Sequence, residues 1–314
     1  MTLLAETTEP CFAHDAFVYD DDGDYVATLA PLLTDALAAG EHVVAVVPAD
    51  RAALLRPAVG PRADEVTWVD AAEWYRHPAR TIAAYEATLR QVTPGRAAFV
   101  VGEVAFGTTE SDRLAWTAYE SALNRSLARH EARVVCPYDA RSLSPTVVRD
   151  AARTHRHVVR HDGRHPSEAY VEPESLLRDL APLAVPPERP ADVDMRVGTS
   201  VRAGRQAFEA VATAWGLSLA RAKELSVAVS EVITNAVVHG RSEAWLRVWG
   251  GDGELTCVVA DDGEGSDDAL LGYVPPTPGT IGGYGLWLTR QLFDRTELAR
   301  SPSGGLLVLL AVHR

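Results

Sequence analysis

The chain has few cysteines, fewer basic than acidic residues and no long hydrophobic run. Only three of its 314 residues are cysteine, and their wide spacing excludes a disulfide framework and favours a reducing compartment. The longest apolar runs have the length of a strand, and the N-terminal segment lacks the features of a signal peptide. We therefore expect a cytoplasmic protein without a membrane span. The net charge of -13 disfavours direct binding to nucleic acid.

The length of the chain and one proline-rich segment predict two domains. A chain of 314 residues accommodates two domains of ordinary size. The sequence APLAVPPERPADV at residues 181–193 has the composition of an extended linker. We therefore expect an N-terminal domain at residues 1–180 and a C-terminal domain at residues 194–314.

Short apolar runs alternate with amphipathic stretches in the N-terminal domain. The runs predict buried strands at residues 16–19, 42–47, 66–69, 97–101 and 133–136. The amphipathic stretches predict helices at residues 25–39, 71–91, 111–130 and 145–155, and Asp24 is the expected N-cap of the first. This alternation predicts an α/β domain of three layers with a mostly parallel sheet. The acidic sequence VYDDDGDY stands where a glycine-rich phosphate loop would follow the first strand, which excludes a P-loop site.

The C-terminal domain has a different order of elements. Helices are predicted at residues 201–215, 219–238 and about 286–293. Strands are predicted at residues 244–249, 255–260, 297–300 and 306–312. Because helices and strands form separate runs, we expect a two-layer α/β sandwich.

Three short segments of the C-terminal domain carry residues suited to nucleotide chemistry. Glu231 and Asn235, in SEVITNAVVHG, are one helical turn apart and share a helix face. DDGEG follows an apolar strand, and IGGYGLWL opens a helix whose free amides could bind phosphate. Each segment alone also fits a structural role, as a solvated helix face, an acidic turn or glycines that relieve packing.

Together and in this order, the three segments resemble the motifs of the Bergerat-fold (GHKL) ATPases. Residues 231–240 resemble the N box of that family, residues 261–265 its first glycine box and residues 283–286 its second. SEVITNAVVHG and GYGLWLTRQLFD are similar to segments of the anti-sigma-factor serine kinases. The resemblance implies the Bergerat ATP-binding fold for most of residues 196–314, with ATP and Mg²⁺ as cofactors.

The resemblance also implies a role for individual residues. Glu231 would act as general base, Asn235 would coordinate Mg²⁺, and Asp261 would accept a hydrogen bond from the adenine amino group. The other implied contacts are made by Gly263 and Gly265 beside the base and by the backbone amides of Gly283, Gly285 and Leu286 at the phosphates. Residues 266–282 would form a lid over the nucleotide. Two positions depart from the family pattern: Leu307, near which many relatives have threonine, and Tyr284, where arginine is common.

The position of the histidines separates the candidate activities. No histidine lies between His165 and His239, so the acceptor that precedes the ATPase domain of histidine autokinases is missing. The resemblance therefore implies an anti-sigma factor that phosphorylates a serine or threonine of a STAS-type anti-anti-sigma partner, with a homodimer as one expected state. The alternatives are a non-catalytic, ATP-gated module that binds a sigma factor or another regulator, and a ligand sensor with a vestigial ATPase domain.

The N-terminal domain resembles the MEDS sensory domains of bacterial regulators over roughly residues 11–172. The resemblance is carried by HDAFVYDDDGDY, VVGEVAF, AYESALN, VCPYDA and a downstream His155. It implies that the domain senses a small ligand. Because ligands of open parallel sheets bind outside the carboxyl ends of the strands, we identify five candidate residues. They are Glu103, Tyr119, Glu120, Tyr138 and Asp139, for which helix capping and packing are the alternative roles.

Four histidines at the end of the N-terminal domain suggest metal binding as a second hypothesis. His155, His157, His161 and His165 lie within eleven residues, and Cys136 could lie near them. Zinc sites usually pair their ligands more tightly along the chain. We therefore favour a solvated, arginine-rich edge for this segment.

Overall fold

The computed structural model describes residues 12–92, 95–181, 184–198, 200–241, 244–251, 253–276 and 283–314. Contacts divide the chain into two compact units, residues 1–177 and residues 178–314, close to the predicted boundary at residue 180. None of the helices in the described ranges combines the length and the apolar character that crossing a bilayer requires.

The N-terminal unit contains one sheet, and its described strands are rich in valine and alanine. The strands are β1 (Phe12–Tyr19), β2 (His42–Val47), β3 (Thr67–Asp70), β4 (Ala98–Gly102), β5 (Ala132–Asp139), β6 (His157–Arg160) and β7 (Gly163–Pro166). Their order in the sheet is β3-β2-β4-β5-β1-β6-β7. Every neighbouring pair is parallel except the β6–β7 hairpin. The prediction of a mostly parallel sheet is therefore confirmed.

Helices cover both faces of this sheet. The described helices of this unit are α1 (Asp22–Ala38), α2 (Ala49–Val59), α3 (Ala71–Trp74), α4 (Pro78–Arg90), α5 (Glu110–Ser126) and α6 (Pro145–Thr154), and α7 (Pro173–Leu180) crosses the boundary between the units. On one face, Phe17 of β1 packs in a core with Leu29 and Leu33 of α1. Side chains of a strand alternate between faces, and His14 of the same strand contacts Glu120 of α5 on the other face. This arrangement gives the three layers that the sequence predicts.

Two details of the predicted helices are wrong. The N-cap of α1 is Asp21, whose Oδ1 accepts a hydrogen bond from the Asp24 amide at 2.8 Å, because the helix begins three residues earlier than predicted. The helix predicted at residues 71–91 is two helices. His77 is extended and caps α4, and Pro78 occupies its first turn, where the missing amide donor carries no penalty.

The C-terminal unit is a two-layer sandwich, as predicted. Its described strands are β8 (Val193–Arg196), β9 (Ala244–Gly251), β10 (Glu254–Asp261), β11 (Arg295–Arg300) and β12 (Leu306–His313). They form an antiparallel sheet in the order β11-β12-β10-β9-β8. Its described helices are α8 (Val201–Trp215), α9 (Leu219–His239) and α10 (Tyr284–Leu292). The buried core lies between these helices and one face of the sheet.

The proline-rich segment covers part of the other face of this sheet. Ala184 and Ala191 pack against a small apolar cluster that includes Trp249 of β9. The Trp249 indole donates to the Arg189 carbonyl at 2.9 Å, and the Gly250 amide donates to the Asp192 carboxylate at 2.7 Å. The described part of the segment is therefore extended and lies against the sheet.

Removal of the Asp21 side chain tests the corrected start of α1. In an Asp21→Ala variant the Asp24 amide loses its acceptor, which we expect to destabilise the first turn of α1 by about 1 kcal/mol. Hydrogen exchange of peptides from α1 in the full chain would then rise several-fold. Asp20→Ala removes an exposed carboxylate next to the cap and is the control. Equal exchange in the two variants would contradict the assignment of the cap.

Candidate functional site

The first part of the candidate site lies on α9. The Ser218 hydroxyl caps the helix by accepting a hydrogen bond from the Arg221 amide at 3.2 Å. A buried apolar stripe, which includes Val229 and Val232, fixes the helix against the sheet. Glu231 is exposed and Asn235 is half-buried. Both side chains approach Gly285, in agreement with the common helix face that their spacing predicts.

The second part is the start of α10, which contacts these two residues directly. Gly285 is buried, and a Cβ placed on it would lie 3.1 Å from the Glu231 Cβ and 3.4 Å from the Asn235 amide nitrogen. Gly283 precedes the helix in a left-handed conformation, with φ of 83°, which favours glycine. Among the described residues no side chain caps the N-terminus of α10, and free amides in the first turn of a helix can bind an anionic ligand.

The third part is the turn that follows β10. Asp261 is buried, and its Oδ1 accepts hydrogen bonds from the Gly263 amide at 2.8 Å and the Leu306 amide at 3.2 Å. Both amides donate to Oδ1, which fixes the orientation of the carboxylate. The second oxygen, Oδ2, takes no part in these two hydrogen bonds. A Cβ on Gly263 would overlap the carbonyl oxygen of His239, so the end of α9 and this turn pack with no space for a side chain.

The described part of the predicted lid packs on α10. Gly272 has a φ of 75°, and a Cβ on it would lie 2.8 Å from the Leu286 carbonyl oxygen. Arg290 donates to the Leu271 carbonyl at 2.9 Å and lies 3.9 Å from the centre of the Tyr273 ring. Residues 277–282 of the predicted lid lie outside the described residues.

The structure brings together most of the predicted nucleotide-site residues. Glu231, Asn235 and Gly285 are in contact at one end, and Asp261 and Gly263 lie against the end of α9. Gly265, with φ of 71°, lies beside the carbonyl of Gly305 at the rim of the same turn. Tyr284 is half exposed at the start of α10. The roles of these residues in catalysis and binding stay predictions.

Two neighbours of Asp261 were missed by the sequence analysis. A Cβ on Gly305 would overlap the Asp261 carboxylate, so this position requires glycine. The two consecutive glycines before β12, Gly304 and Gly305, are the feature of the sequence that could have indicated this close contact. Leu306, not Leu307, lies next to Asp261, because the Leu307 side chain packs on the opposite face of the sheet with Trp249. The apolar residue beside the candidate adenine site is therefore Leu306.

The N-terminal candidate Glu103 lies just after β4 and is buried. It accepts hydrogen bonds from the hydroxyls of Tyr19 at 2.7 Å and Tyr25 at 3.0 Å. Burial raises the pKa of Glu103, although the two tyrosine hydroxyls and the Arg51 guanidinium oppose this effect. Burial and the nearby Glu103 carboxylate likewise raise the pKa values of both tyrosines.

The candidate Asp139 is the last residue of β5. The Arg141 guanidinium binds it in a bidentate manner at 2.8 Å, and Arg51 donates to it at 3.0 Å. The hydrogen bonds from Arg141 hold the pKa of Asp139 below its usual value. Arg51 lies over the rings of Tyr19 and Tyr25, so Asp139 and Glu103 belong to one polar network at the carboxyl end of the sheet.

The remaining candidates, Tyr119, Glu120 and Tyr138, are each 1% exposed and lie inside the domain. The structure therefore divides the five candidates between the strand ends and the interior. Glu120 lies 3.1 Å from His14 Nε2 and 3.4 Å from His155 Nε2. A sensory role for the five residues stays a prediction.

The interpretation of the histidine segment as a solvated edge is wrong for His155. This residue is fully buried, because it directly follows α6 and turns into the interior of the domain. His161 is exposed, and His165 pairs with Asp162 on the β6–β7 hairpin at 2.9 Å, so the interpretation holds for these two residues. His157 of the same hairpin is half-buried, and its Nδ1 lies 3.7 Å from the Asp15 carboxylate.

Comparison with known families agrees with both units. A family model described as MEDS, the MEthanogen/methylotroph, DcmR Sensory domain, matches residues 13–156. A second model, described as a histidine kinase-like ATPase domain, matches residues 197–310. Among curated proteins, none gives a significant match to the chain. The chain thus carries a MEDS sensory domain followed by a histidine kinase-like ATPase domain.

Proposed function

We propose that this protein is a cytoplasmic, ATP-dependent regulatory kinase. Its C-terminal domain binds a sigma factor and phosphorylates a serine or threonine of a STAS-type anti-anti-sigma protein, and its N-terminal domain regulates one of these activities. The observation that carries the proposal is the contact of Gly285 with Glu231 and Asn235. The proximity of these two side chains to the N-terminus of α10 supports the proposal that Glu231 acts as a base and Asn235 as a metal ligand.

The residues of the site fit Mg-ATP. A side-chain amide oxygen, such as that of Asn235, is a ligand that Mg²⁺ accepts together with phosphate oxygens and water. The uncapped first turn of α10 offers amides and the positive end of a helix dipole to the phosphates. Asp261 is fixed in a buried turn by the Gly263 and Leu306 amides, which leaves its Oδ2 outside these two contacts. When bound, Mg²⁺ would neutralise charge on the phosphates.

The exposure of Glu231 fits a protein substrate. Its carboxylate lies at the surface of α9, where the hydroxyl of a docked protein can reach it and donate its proton. Asn235, one turn away, is half-buried and contacts the start of α10, which suits a residue that faces the nucleotide. In phosphoryl transfer most of the rate enhancement comes from positioning and charge neutralisation, so the base is expected to contribute a smaller factor.

A non-catalytic, ATP-gated binding module is the second candidate. Leu306 favours it, because its backbone amide contacts Asp261 while its side chain, which packs against the core, offers no hydrogen bond to a nucleotide base. In this case the domain would bind ATP, change its affinity for a partner and transfer no phosphate. The two candidates differ in one measurable property, which is the transfer of the γ-phosphate.

Replacement of the candidate base distinguishes the two. We expect Glu231→Gln to lower the rate of phosphate transfer to a STAS-type protein about 100-fold or more, the range typical of a lost general base. Affinity for Mg-ATP, measured by calorimetry, should remain within a few-fold of the unchanged protein, since the amide preserves the shape of the side chain.

Glu224→Gln is the matched control for this experiment. Glu224 is also an exposed glutamate of α9, but its carboxylate pairs with Arg221. We expect normal transfer by this variant. Normal transfer by Glu231→Gln would contradict the catalytic role, and ATP binding without transfer by the unchanged protein would favour the second candidate.

Replacement of Asp261 tests the adenine end of the site. Asn at this position keeps one acceptor oxygen for the Gly263 and Leu306 amides but places an NH₂ donor where the adenine amino group would donate. We expect Asp261→Asn to lower ATP affinity at least about tenfold, because two donors would then face each other without an acceptor. The midpoint of thermal unfolding should change little.

Asp262→Asn is the control for the Asp261 experiment. Asp262 is the next residue along the chain, and its carboxylate binds the Arg241 amide at 2.8 Å instead. Unchanged ATP affinity in Asp261→Asn, or an equal loss in both variants, would show that Asp261 does not contact the base.

A further inference from the structure

Four buried side chains with metal-ligating atoms meet inside the N-terminal domain. They are His14 of β1, Glu120 of α5, Cys136 of β5 and His155, which follows α6. We call them the quartet. Each is at most 3% exposed, and one ligand atom from each lies within 4.8 Å of the others.

The topology of the sheet explains why these residues meet. β1 and β5 are parallel neighbours, and Ala16 pairs with Cys136. His14 is two residues before Ala16 and points to the same face as Cys136, which places His14 Nε2 3.3 Å from Cys136 Sγ. α5 and the end of α6 cover this face and add Glu120 and His155.

The hydrogen bonds of His155 show which of its nitrogens faces the quartet. Its Nδ1 lies 2.9 Å from the Ala151 carbonyl oxygen, which only accepts hydrogen bonds, so Nδ1 carries the proton. In the neutral ring Nε2 then has a lone pair, and it lies 3.4 Å from the Glu120 carboxylate. A histidine that ligates a metal usually donates its other N–H to a carbonyl or carboxylate in this way.

The interior of the quartet holds three buried acceptor atoms that make no well-aligned hydrogen bond. Within the described residues, neither carboxylate oxygen of Glu120 nor Nε2 of His155 makes a hydrogen bond of standard geometry, although all three atoms are buried and His14 Nε2 lies 3.1 Å from Glu120. A buried carboxylate facing a lone pair is unfavourable unless a positive charge, from a metal ion or a proton, lies between them. These atoms therefore point to a missing positive charge at the centre of the quartet.

The geometry and charge of the quartet fit one divalent ion. Metal–ligand bonds of about 2.0–2.3 Å in a tetrahedron separate the ligand atoms by about 3.3–3.8 Å. The distances of 3.1, 3.3 and 3.4 Å between His14, Glu120, Cys136 and His155 atoms are close to that range. A carboxylate, a thiolate and two neutral imidazoles carry two negative charges, which a divalent cation neutralises. Nitrogen and sulfur ligands select zinc and related transition metals over Mg²⁺ or Ca²⁺.

We propose that the N-terminal domain holds one divalent transition-metal ion, of the Zn²⁺ class, between His14, Glu120, Cys136 and His155. All four positions of the coordination shell come from the protein and are buried, which is the arrangement of a closed rather than a catalytic site. The ligands come from two strands and the helical layer that covers them. Occupancy of the site therefore ties that layer to the sheet and stabilises the domain.

Cobalt loading of the full chain tests this proposal. The protein is stripped with a chelator and titrated with Co²⁺, whose absorption reports both tetrahedral geometry and a cobalt–thiolate bond. A Cys11→Ser background removes the thiol that lies outside the described residues. We expect one Co²⁺ per chain, a thiolate charge-transfer band, a higher midpoint of thermal unfolding and displacement of Co²⁺ by Zn²⁺.

Two cysteine variants assign the thiolate. Cys136→Ser should abolish the charge-transfer band, whereas Cys257→Ser should retain it, because Cys257 lies in the apolar core of the C-terminal unit. A missing band in the unchanged protein, or an unaltered band in Cys136→Ser, would overturn the proposal.

Glu120→Gln covers the case in which the cysteine variant fails to fold. The amide keeps the shape of the side chain but removes its charge. Loss of a residue that only hydrogen-bonds to a metal ligand typically lowers metal affinity about 10- to 100-fold, so loss of a direct ligand should lower it at least about tenfold. The variant should also lose most of the metal-dependent stabilisation. Metal affinity equal to that of the unchanged protein would overturn the proposal and indicate that protons, not a metal ion, balance the quartet.

Discussion

The candidate nucleotide site depends on the close contact between α9 and the first turn of α10. Gly285 brings the backbone of α10 against Glu231 and Asn235, and any larger residue would meet the Glu231 side chain at 3.1 Å or less. One turn further along, the C-terminal residue of α9, His239, contacts the turn at Gly263. A single rigid helix thus sets the distance between the candidate phosphate end and the candidate adenine end, and the glycines let both ends approach it.

Local signals in the sequence predict much of the C-terminal unit. The bounds of α8 match the prediction and those of α9 differ by one residue, because serine caps and terminal glycines mark the helix ends. The spacing of Glu231 and Asn235 predicts their common face. Strand β8 was missed because it is short and lies at the sheet edge, where pairing with β9 rather than a strong local pattern defines it. The contact of Leu306 with Asp261 depends on the register between β10 and β12, which spacing along the chain does not reveal.

The quartet shows what sequence patterns miss in the N-terminal domain. His14 and Cys136 are 122 positions apart and meet only because β1 and β5 are neighbours in the sheet. His155 stands beside histidines of an exposed hairpin, so its surroundings in the sequence indicate a solvated position. Its burial follows from the end of α6 and not from any local periodicity. The Ala151 carbonyl at the end of the same helix then decides which ring nitrogen faces Glu120.

Buried carboxylates are stabilised in opposite ways in the two units. Asp261 receives backbone amides from its own turn and from β12, so its position needs no ligand. Neither carboxylate oxygen of Glu120 makes a hydrogen bond of standard geometry within the described residues, so its position depends on what occupies the quartet. A preformed site suits a domain that must bind nucleotide whenever it is present, because little reorganisation opposes binding. A site that is incomplete without its ion suits a domain whose packing responds to occupancy, since the ion then contributes folding free energy directly.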